Sequence, residues 1–282
     1  MQNVKLANGV EMPVIGYGTW RTPDETVGDL VYEAIRAGYR HIDTAAKYGN
    51  ESGVGKGIAR AIKDGLVTRE ELFVTTKVWN FDRGYGRTKP PFERSMKELG
   101  LTYLDLYLIH WPAAAHQYEC WKELNDETWR AMEDLYRQGR VRAIGVSNFR
   151  NHHLQPLMQS ASVKPMVNQI EIHPGLTQQE SVRFGQENGV QMQAWSPLGT
   201  GRMVVNEQLI AMAAKYGKTS AQLCLRWLLQ QGIVPLPKSW NPERMAQNLD
   251  VFSFELMKED MEAITSMSYF GGSGEDPDQI LF

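Results

Sequence analysis

Two textures alternate along the chain. Short runs rich in β-branched and aromatic residues recur: VIGYG (14–18), YRHID (39–43), LFVTT (72–76), YLDLYLI (103–109), VRAIGV (141–146), MVNQIEI (166–172), VQMQAW (190–195) and GIVPL (232–236). Their length and composition predict strands. Longer amphipathic stretches lie between them, for example at 25–37, 51–63, 88–98, 126–138, 178–188 and 219–231. In the last, Leu223, Cys224, Trp227 and Leu228 recur at helical spacing. Gly38, Gly100, Gly139, Gly189 and Gly232 follow helices, where a C-cap favours a residue free to turn left-handed. Eight such βα units predict a parallel sheet, and eight is the number that closes a barrel. The opening VKLANGVEM predicts a small hairpin with Asn8-Gly9 in a type I′ turn. Two more helix candidates, 205–216 and 255–267, exceed the eightfold count. The expected fold is therefore α/β: a (β/α)8 TIM barrel with an N-terminal hairpin and two extra helices, forming one domain over 1–282.

A doubly wound nucleotide-binding sheet also alternates β and α. Its glycine fingerprint is absent, because Gly16 and Gly18 are followed by Thr19-Trp20-Arg21. GVGKG (53–57) resembles part of a phosphate loop, but its spacing is wrong. Gly57 also stands where Ser or Thr would ligate magnesium.

Composition narrows the function. Lys plus Arg is 30 and Asp plus Glu is 33, a net charge of −3. That balance argues against a nucleic-acid partner or a polybasic membrane surface. No apolar run approaches the length of a spanning helix. The start has no basic region followed by an apolar one, so a cytoplasmic protein is expected. Cys120 and Cys224 cannot build a disulfide framework or a four-ligand zinc site. His152, His153 and His173 have no partners at metal-ligand spacing and are expected to be structural or exposed.

In a βα barrel, chemistry sits at the C-terminal ends of the strands. Asp43 ends the second strand run, with Tyr48 five residues on, Lys77 follows the third and His110 the fourth. Lys77 lies 34 residues past Asp43 and His110 lies 33 past Lys77, about one βα repeat each. Singly, each has a plain reading: a helix cap, a packed ring, a solvated amine, a core histidine. Four titratable groups converging on one barrel mouth indicate a reactive site.

The segments GYGTW, GYRHIDTAAKYGNE, TTKVWN, LDLYLIHWP, IGVSNF, NQIEIHP, WSPLGTG and PLPKSWNPERMAQN together resemble the aldo-keto reductase superfamily. They do so in order and over essentially the whole chain. Within it, the chain looks like the bacterial-type 2,5-diketogluconate reductase and small-aldehyde reductase branch. The resemblance implies reduction of aldehydes, α-dicarbonyls and some ketones with NADPH, without metal or flavin. Asp43, Tyr48, Lys77 and His110 match the family's catalytic tetrad. A free phenol with a pKa near 10 is a poor acid at neutral pH, and a neighbouring ammonium favours phenolate. Lys77 can supply that charge, Asp43 can hold Lys77, Tyr48 becomes the general acid, and His110 can bond the substrate oxygen.

The resemblance also implies cofactor contacts from Thr19, Trp20 and Asp43. Ser147, Asn148 and Gln169 match the residues that bond the nicotinamide carboxamide, and Trp195 the ring stacked on it. Ser196, Pro197, Leu198 and Gly199 match the pyrophosphate loop. Lys238, Ser239 and Arg244 match the 2′-phosphate contacts, and Gln247 and Asn248 the adenine contacts. Trp240 is bulkier than the small residue common at its position. Trp20, Trp79 and Trp111, with Tyr48 and His110, are expected to line the substrate pocket. Loop 112–124 and tail 269–282 match substrate-selecting segments, and the tail's shortness predicts an open pocket. Partners are expected to be small carbonyl compounds, and the chain a monomer. A cofactor-binding regulatory subunit can use the same barrel, but it would not need an intact tetrad. A metal- or phosphate-dependent barrel would need a carboxylate/His cluster that the strand ends do not supply.

Overall fold

A computed structural model of the protein describes residues 2–281. Eight parallel strands form one sheet in strict chain order. They are β3 (Tyr17–Gly18), β4 (His41–Asp43), β5 (Phe73–Val78), β6 (Leu104–Ile109), β7 (Val141–Ser147), β8 (Val167–Glu171), β9 (Gln191–Trp195) and β10 (Val234–Pro235). Every residue of β6 is buried, as expected for a strand walled by helices outside and side chains inside. The register sets residues that chemistry could use beside one another: Gly18 opposite Asp43, Asp43 opposite Thr75, and Ser147 opposite Gln169.

The first and last strands meet through two backbone bonds. Gly16 N–H donates to Pro235 O and Gly18 N–H to Pro237 O, each at 3.0 Å. Proline has no N–H to return, so this ladder runs one way and both strands stay short. The close approach also needs glycine. A Cβ on Gly16 would lie 2.6 Å from Leu236 Cδ2 and 2.9 Å from the His41 ring.

Eight helices follow the barrel pattern: α1 (Asp24–Ala37), α2 (Glu51–Lys63), α3 (Tyr85–Leu99), α4 (Trp121–Arg137), α5 (Asn151–Ser160), α6 (Gln179–Glu187), α8 (Ser220–Gln230) and α9 (Pro242–Leu249). The two supernumerary ones are α7 (Glu207–Ala214) and α10 (Lys258–Thr265). Helix α5 carries a weaker pattern than its neighbours, because Pro156 and a mixed polar run blur its apolar face. Helix α4 starts at Trp121 and α3 at Tyr85, each ahead of the stretch the pattern marks.

The N-terminal hairpin pairs β1 (Asn3–Lys5) with β2 (Glu11–Pro13), Val4 opposite Met12. Its turn differs from the expected type I′. Gly9 N–H closes on Leu6 O at 2.8 Å. Gly9 has φ +88°, and Asn8 is not among the described residues with positive φ. The loop is thus an ordinary turn followed by one left-handed glycine, with Asn8 Oδ1 accepting from Val10 N–H at 3.2 Å. Met12 is fully buried, and its Sδ reaches Gln193 Nε2 inside the barrel at 3.1 Å. Among the described residues, no helix is long and apolar enough to cross a membrane.

Candidate active site

Asp43 is the last residue of β4, and a short 3-10 turn, Ala46–Tyr48, follows it. Lys77 is the penultimate residue of β5, and His110 directly follows β6. Parallel register carries their side chains into one end of the barrel. Lys77 Nζ donates to Asp43 Oδ1 at 2.7 Å, to Thr44 O at 2.9 Å and to Tyr48 OH at 3.3 Å. The Lys77 and Asp43 side chains are 0% and 5% exposed. The Tyr48 and His110 rings are 5.7 Å apart and nearly perpendicular.

Burial alone would strip the charge from Lys77. The Asp43 carboxylate outweighs it, with help from Tyr48, and the amine is held above its ordinary value. Tyr48 is half-buried at the mouth. Burial raises that phenol while Lys77 pulls it down, and burial prevails. The expected depression of the Tyr48 pKa is therefore not the net effect in this structure. His110 is pushed well below its usual value by burial, then by Lys77 and Lys47, so its ring is neutral at neutral pH.

A second hydrogen-bonded layer joins β7, β8 and β9 to this group. Gln169 Nε2 donates to Asp43 Oδ2 at 2.8 Å and to Gln193 Oε1 at 3.0 Å. Ser147 Oγ donates to Gln169 O at 2.8 Å. Asn148 has φ +64°, a conformation that costs energy outside glycine and concentrates at functional sites. Its Nδ2 donates to His110 O at 2.9 Å, and its Oδ1 accepts from Trp195 Nε1 at 2.8 Å. Trp195 also packs against a cluster of Trp79, Trp111 and Ile280.

Around the mouth, Trp20 is 47% exposed and its ring lies 4.8 Å from that of Tyr48. Trp79 lies 5.2 Å from His110, and Trp111 is buried beside it. Thr19 is buried, and both its N–H and its hydroxyl donate to Asp43 O. In the loop after β9, Ser196, Gly199, Thr200 and Gly201 all have positive φ. The N–H groups of Gly199, Thr200 and Gly201 close onto Ser196 and Leu198 within that loop. Pro197 is buried between them and Leu198 half-buried. Helix α9 starts with Asn241 as N-cap, its Oδ1 accepting from Arg244 N–H at 3.1 Å, and with Pro242 in the first turn. Arg244 and Gln247 are exposed there, Asn248 is buried, and Ser239 Oγ accepts from Asn241 N–H. Lys238 Nζ donates to Trp20 O at 2.8 Å. The bulky Trp240 points outward, 52% exposed, so it does not crowd the site.

Two expectations need correction. The short tail does not stand clear of the mouth but packs along one side of it. Ile280 is 1% exposed against Trp79 and Trp111, and Ala115 N–H donates to its carbonyl at 2.7 Å. The tail is also tied down upstream, by Ser273 Oγ to Glu171 Oε2 at 2.5 Å. Nor are His152 and His153 without partners. Both Nε2 atoms lie against Asp278 Oδ1, at 2.8 and 2.9 Å, and Arg150 bridges Asp276 and Asp278. This trio has ligand-like spacing, but its hydrogen bonds do not suit a metal. His153 Nδ1 accepts from Arg150 N–H at 3.2 Å, so the proton of the neutral ring sits on Nε2, where a metal would need a lone pair. Burial lowers that histidine to about 4, in keeping with a neutral ring. Sequence reasoning also passed over Gln193, Lys47 and Ile280, whose places depend on contacts far along the chain.

The model of the Aldo/keto reductase family matches residues 14–268. The glyoxal reductase of Bacillus subtilis (strain 168) is 49% identical over 280 residues, 99% of this chain and 97% of that protein. The methylglyoxal reductase DkgA of Escherichia coli (strain K12) is 42% identical over 98% of this chain and 97% of its own. The crystal structure of an aldo-keto reductase from Bombyx mori in complex with NADP superposes with a TM-score of 0.87 at 41% identity, covering 94% of this chain and 92% of that one. A closed eight-stranded barrel, an Asp–Lys–Tyr relay with a neutral histidine at its mouth, and near-complete alignment with these reductases lead to one assignment: the chain belongs to the aldo/keto reductase family and is an oxidoreductase.

Proposed function

We propose that the protein reduces aldehydes, α-dicarbonyls and some ketones to alcohols, using NADPH, with Tyr48 as the general acid. The observation that carries this reading is the buried Lys77 ammonium, 2.7 Å from Asp43 and 3.3 Å from the Tyr48 hydroxyl. A bound reduced nicotinamide supplies the hydride in such a reaction. The donor set fits that group: Ser147, Asn148 and Gln169 offer amide-pairing atoms beside Asp43, and Trp195 presents a ring. Lys238, Ser239 and Arg244 bring charge and a hydroxyl to the start of α9, where a helix also favours anions. Ser196, Pro197, Leu198 and Gly199 would run beside the pyrophosphate, with Thr19 and Trp20 opposite, and Gln247 and Asn248 beside the base.

Tyr48 does the proton work. Its raised pKa keeps the phenol protonated at neutral pH, so it holds the proton to be delivered. As that proton leaves for the substrate oxygen, negative charge develops on Tyr48 Oη, next to the Lys77 ammonium. Asp43 keeps Lys77 charged and aimed. Neutral His110 offers an N–H to the same substrate oxygen without placing a competing charge there. Trp20, Trp79 and Trp111 wall the remainder of the substrate, and their apolar faces discriminate a methylene by only about 1–3 kcal/mol. Broad selection among small aldehydes follows. The glyoxal and methylglyoxal reductases among the relatives support α-dicarbonyls as substrates.

Tyr48→Phe tests the reading. It removes the proton donor and keeps the ring against Trp20. Reduction of methylglyoxal and benzaldehyde is expected to fall by about 10²–10⁴, while NADPH binding, followed by fluorescence, stays near the parent value. Near-parent turnover would remove Tyr48 from the role.

A further inference from the structure

Lys47 stands immediately before Tyr48, exposed at the mouth. Its Nζ lies 4.7 Å from the centre of the Trp79 ring, a ring that itself packs 5.2 Å from His110. The ammonium is thus within about 10 Å of the histidine that would hold the substrate oxygen. It is electrostatically felt there, being one of the charges that keep His110 neutral. Among the described residues, Lys47 takes part in no ion pair, whereas several carboxylates on nearby elements have partners. Asp43 pairs with Lys77, Asp82 with Arg94, and Asp276 and Asp278 with Arg150. Among the described residues, Lys47 is thus a cation with no ion-pair partner near the mouth, seated on an aromatic face that restricts where it can go.

Resting on the proposed carbonyl reduction, we propose that Lys47 is a specificity-determining residue that recognises a carboxylate carried by the carbonyl substrate. The favoured substrates are carboxylated aldehydes in which an aromatic ring or short chain separates the two groups. In this arrangement the carbonyl oxygen lies between Tyr48 and His110, the spacer lies along Trp79, and the carboxylate meets the ammonium at the rim. The reaction is the same proton and hydride addition at the carbonyl. The carboxylate is bound but unchanged.

The test compares 4-formylbenzoate with 4-formylbenzamide, which has nearly the same shape and no charge. The parent protein is expected to favour the benzoate in kcat/KM by about two- to fivefold, the scale of one exposed ion pair, and to lose that preference as salt rises. Lys47→Met should abolish the ratio, Lys47→Glu should invert it, and Lys47→Arg should keep it. Any common change in both substrates cancels. Titration with benzoate and benzamide, followed by indole fluorescence, gives a readout independent of turnover, and only benzoate should weaken in Lys47→Met. An unchanged ratio in Lys47→Met, with Tyr48-dependent reduction of the benzamide intact, overturns the role of Lys47 alone. Absence of Tyr48-dependent reduction of either aldehyde overturns the proposed function and this inference with it.

Discussion

Lys77→Met separates what the buried ion pair does for the fold from what it does for the chemistry. Methionine keeps most of the side-chain stem and removes the charge. At the observed 2.7 Å, an effective dielectric of about 20 gives an attraction of about 6 kcal/mol. Desolvation of two nearly inaccessible ions takes back several kcal/mol each, so the pair as a whole adds little beyond an apolar pair. Removing one partner is different. Asp43 would keep only the Gln169 Nε2 donor at 2.8 Å for a buried carboxylate, which costs about 3–5 kcal/mol. Converting the carboxylate as well, in Asp43→Asn/Lys77→Met, leaves no unpaired charge and should restore stability to within about 1–2 kcal/mol of the parent. Neither variant has a cation beside Tyr48, so both should reduce aldehydes orders of magnitude more slowly. Urea unfolding followed by tryptophan fluorescence measures the first effect, and loss of NADPH absorbance the second. A double variant as unstable as the single one, or one that regains turnover, would refute the reasoning.

The remaining expectations concern cofactor choice and pH. Arg244→Ala and Lys238→Ala should each weaken NADPH by about 1.5–3 kcal/mol while NADH loses far less, measured by fluorescence titration. Arg244 is the cleaner probe, because Lys238 also holds Trp20 O, and equal weakening of both cofactors would remove these residues from phosphate recognition. Burial lowers His41 and His153 to about 4 from 6.5. Between those values the unfolded chain binds protons that the folded one does not, so stability should fall by up to about 3 kcal/mol per histidine as pH drops through that window. Glu51, raised by burial, opposes the trend. Urea midpoints at pH 7 and 5 should therefore differ less in His41→Gln than in the parent, and an identical difference would exclude His41 as a source.

The barrel was legible because each strand is a short apolar run closed by a polar or reactive residue, as in HID at Asp43 and LYLIH at His110. Helix α5 was less so, since Pro156 and the His152-His153 pair hide its buried face, Leu154 and Leu157. The tetrad could be placed from the βα repeat length and the family motifs. Its net electrostatics could not. Lys77 beside Tyr48 suggests a lowered phenol, whereas burial raises it, and burial is a property of the packed barrel that no local spacing shows. The partner of His152 and His153 lies about 126 residues away at Asp278, and no local spacing announces it. The turn at Asn8-Gly9 went the other way: a strong local signal named a two-residue turn, and the Leu6–Gly9 bond made a longer one.

The one-way seam between β3 and β10 also bears on how the chain comes to its final shape. It joins segments more than 200 residues apart, and two side-chain ties reinforce it, Lys238 to Trp20 O and Tyr17 OH to Ser239 O. Closing a loop of that length costs about 5 kcal/mol in chain entropy, and such distant contacts form slowly. During synthesis the first strand waits, without its second neighbour, until the last strand emerges. The residues at this joint, Trp20, Lys238 and Ser239, are also among those proposed above to touch a dinucleotide. A ligand bridging them ties the ends of the chain together, and at a concentration of about 100 times its dissociation constant it adds about 2.7 kcal/mol to the closed barrel.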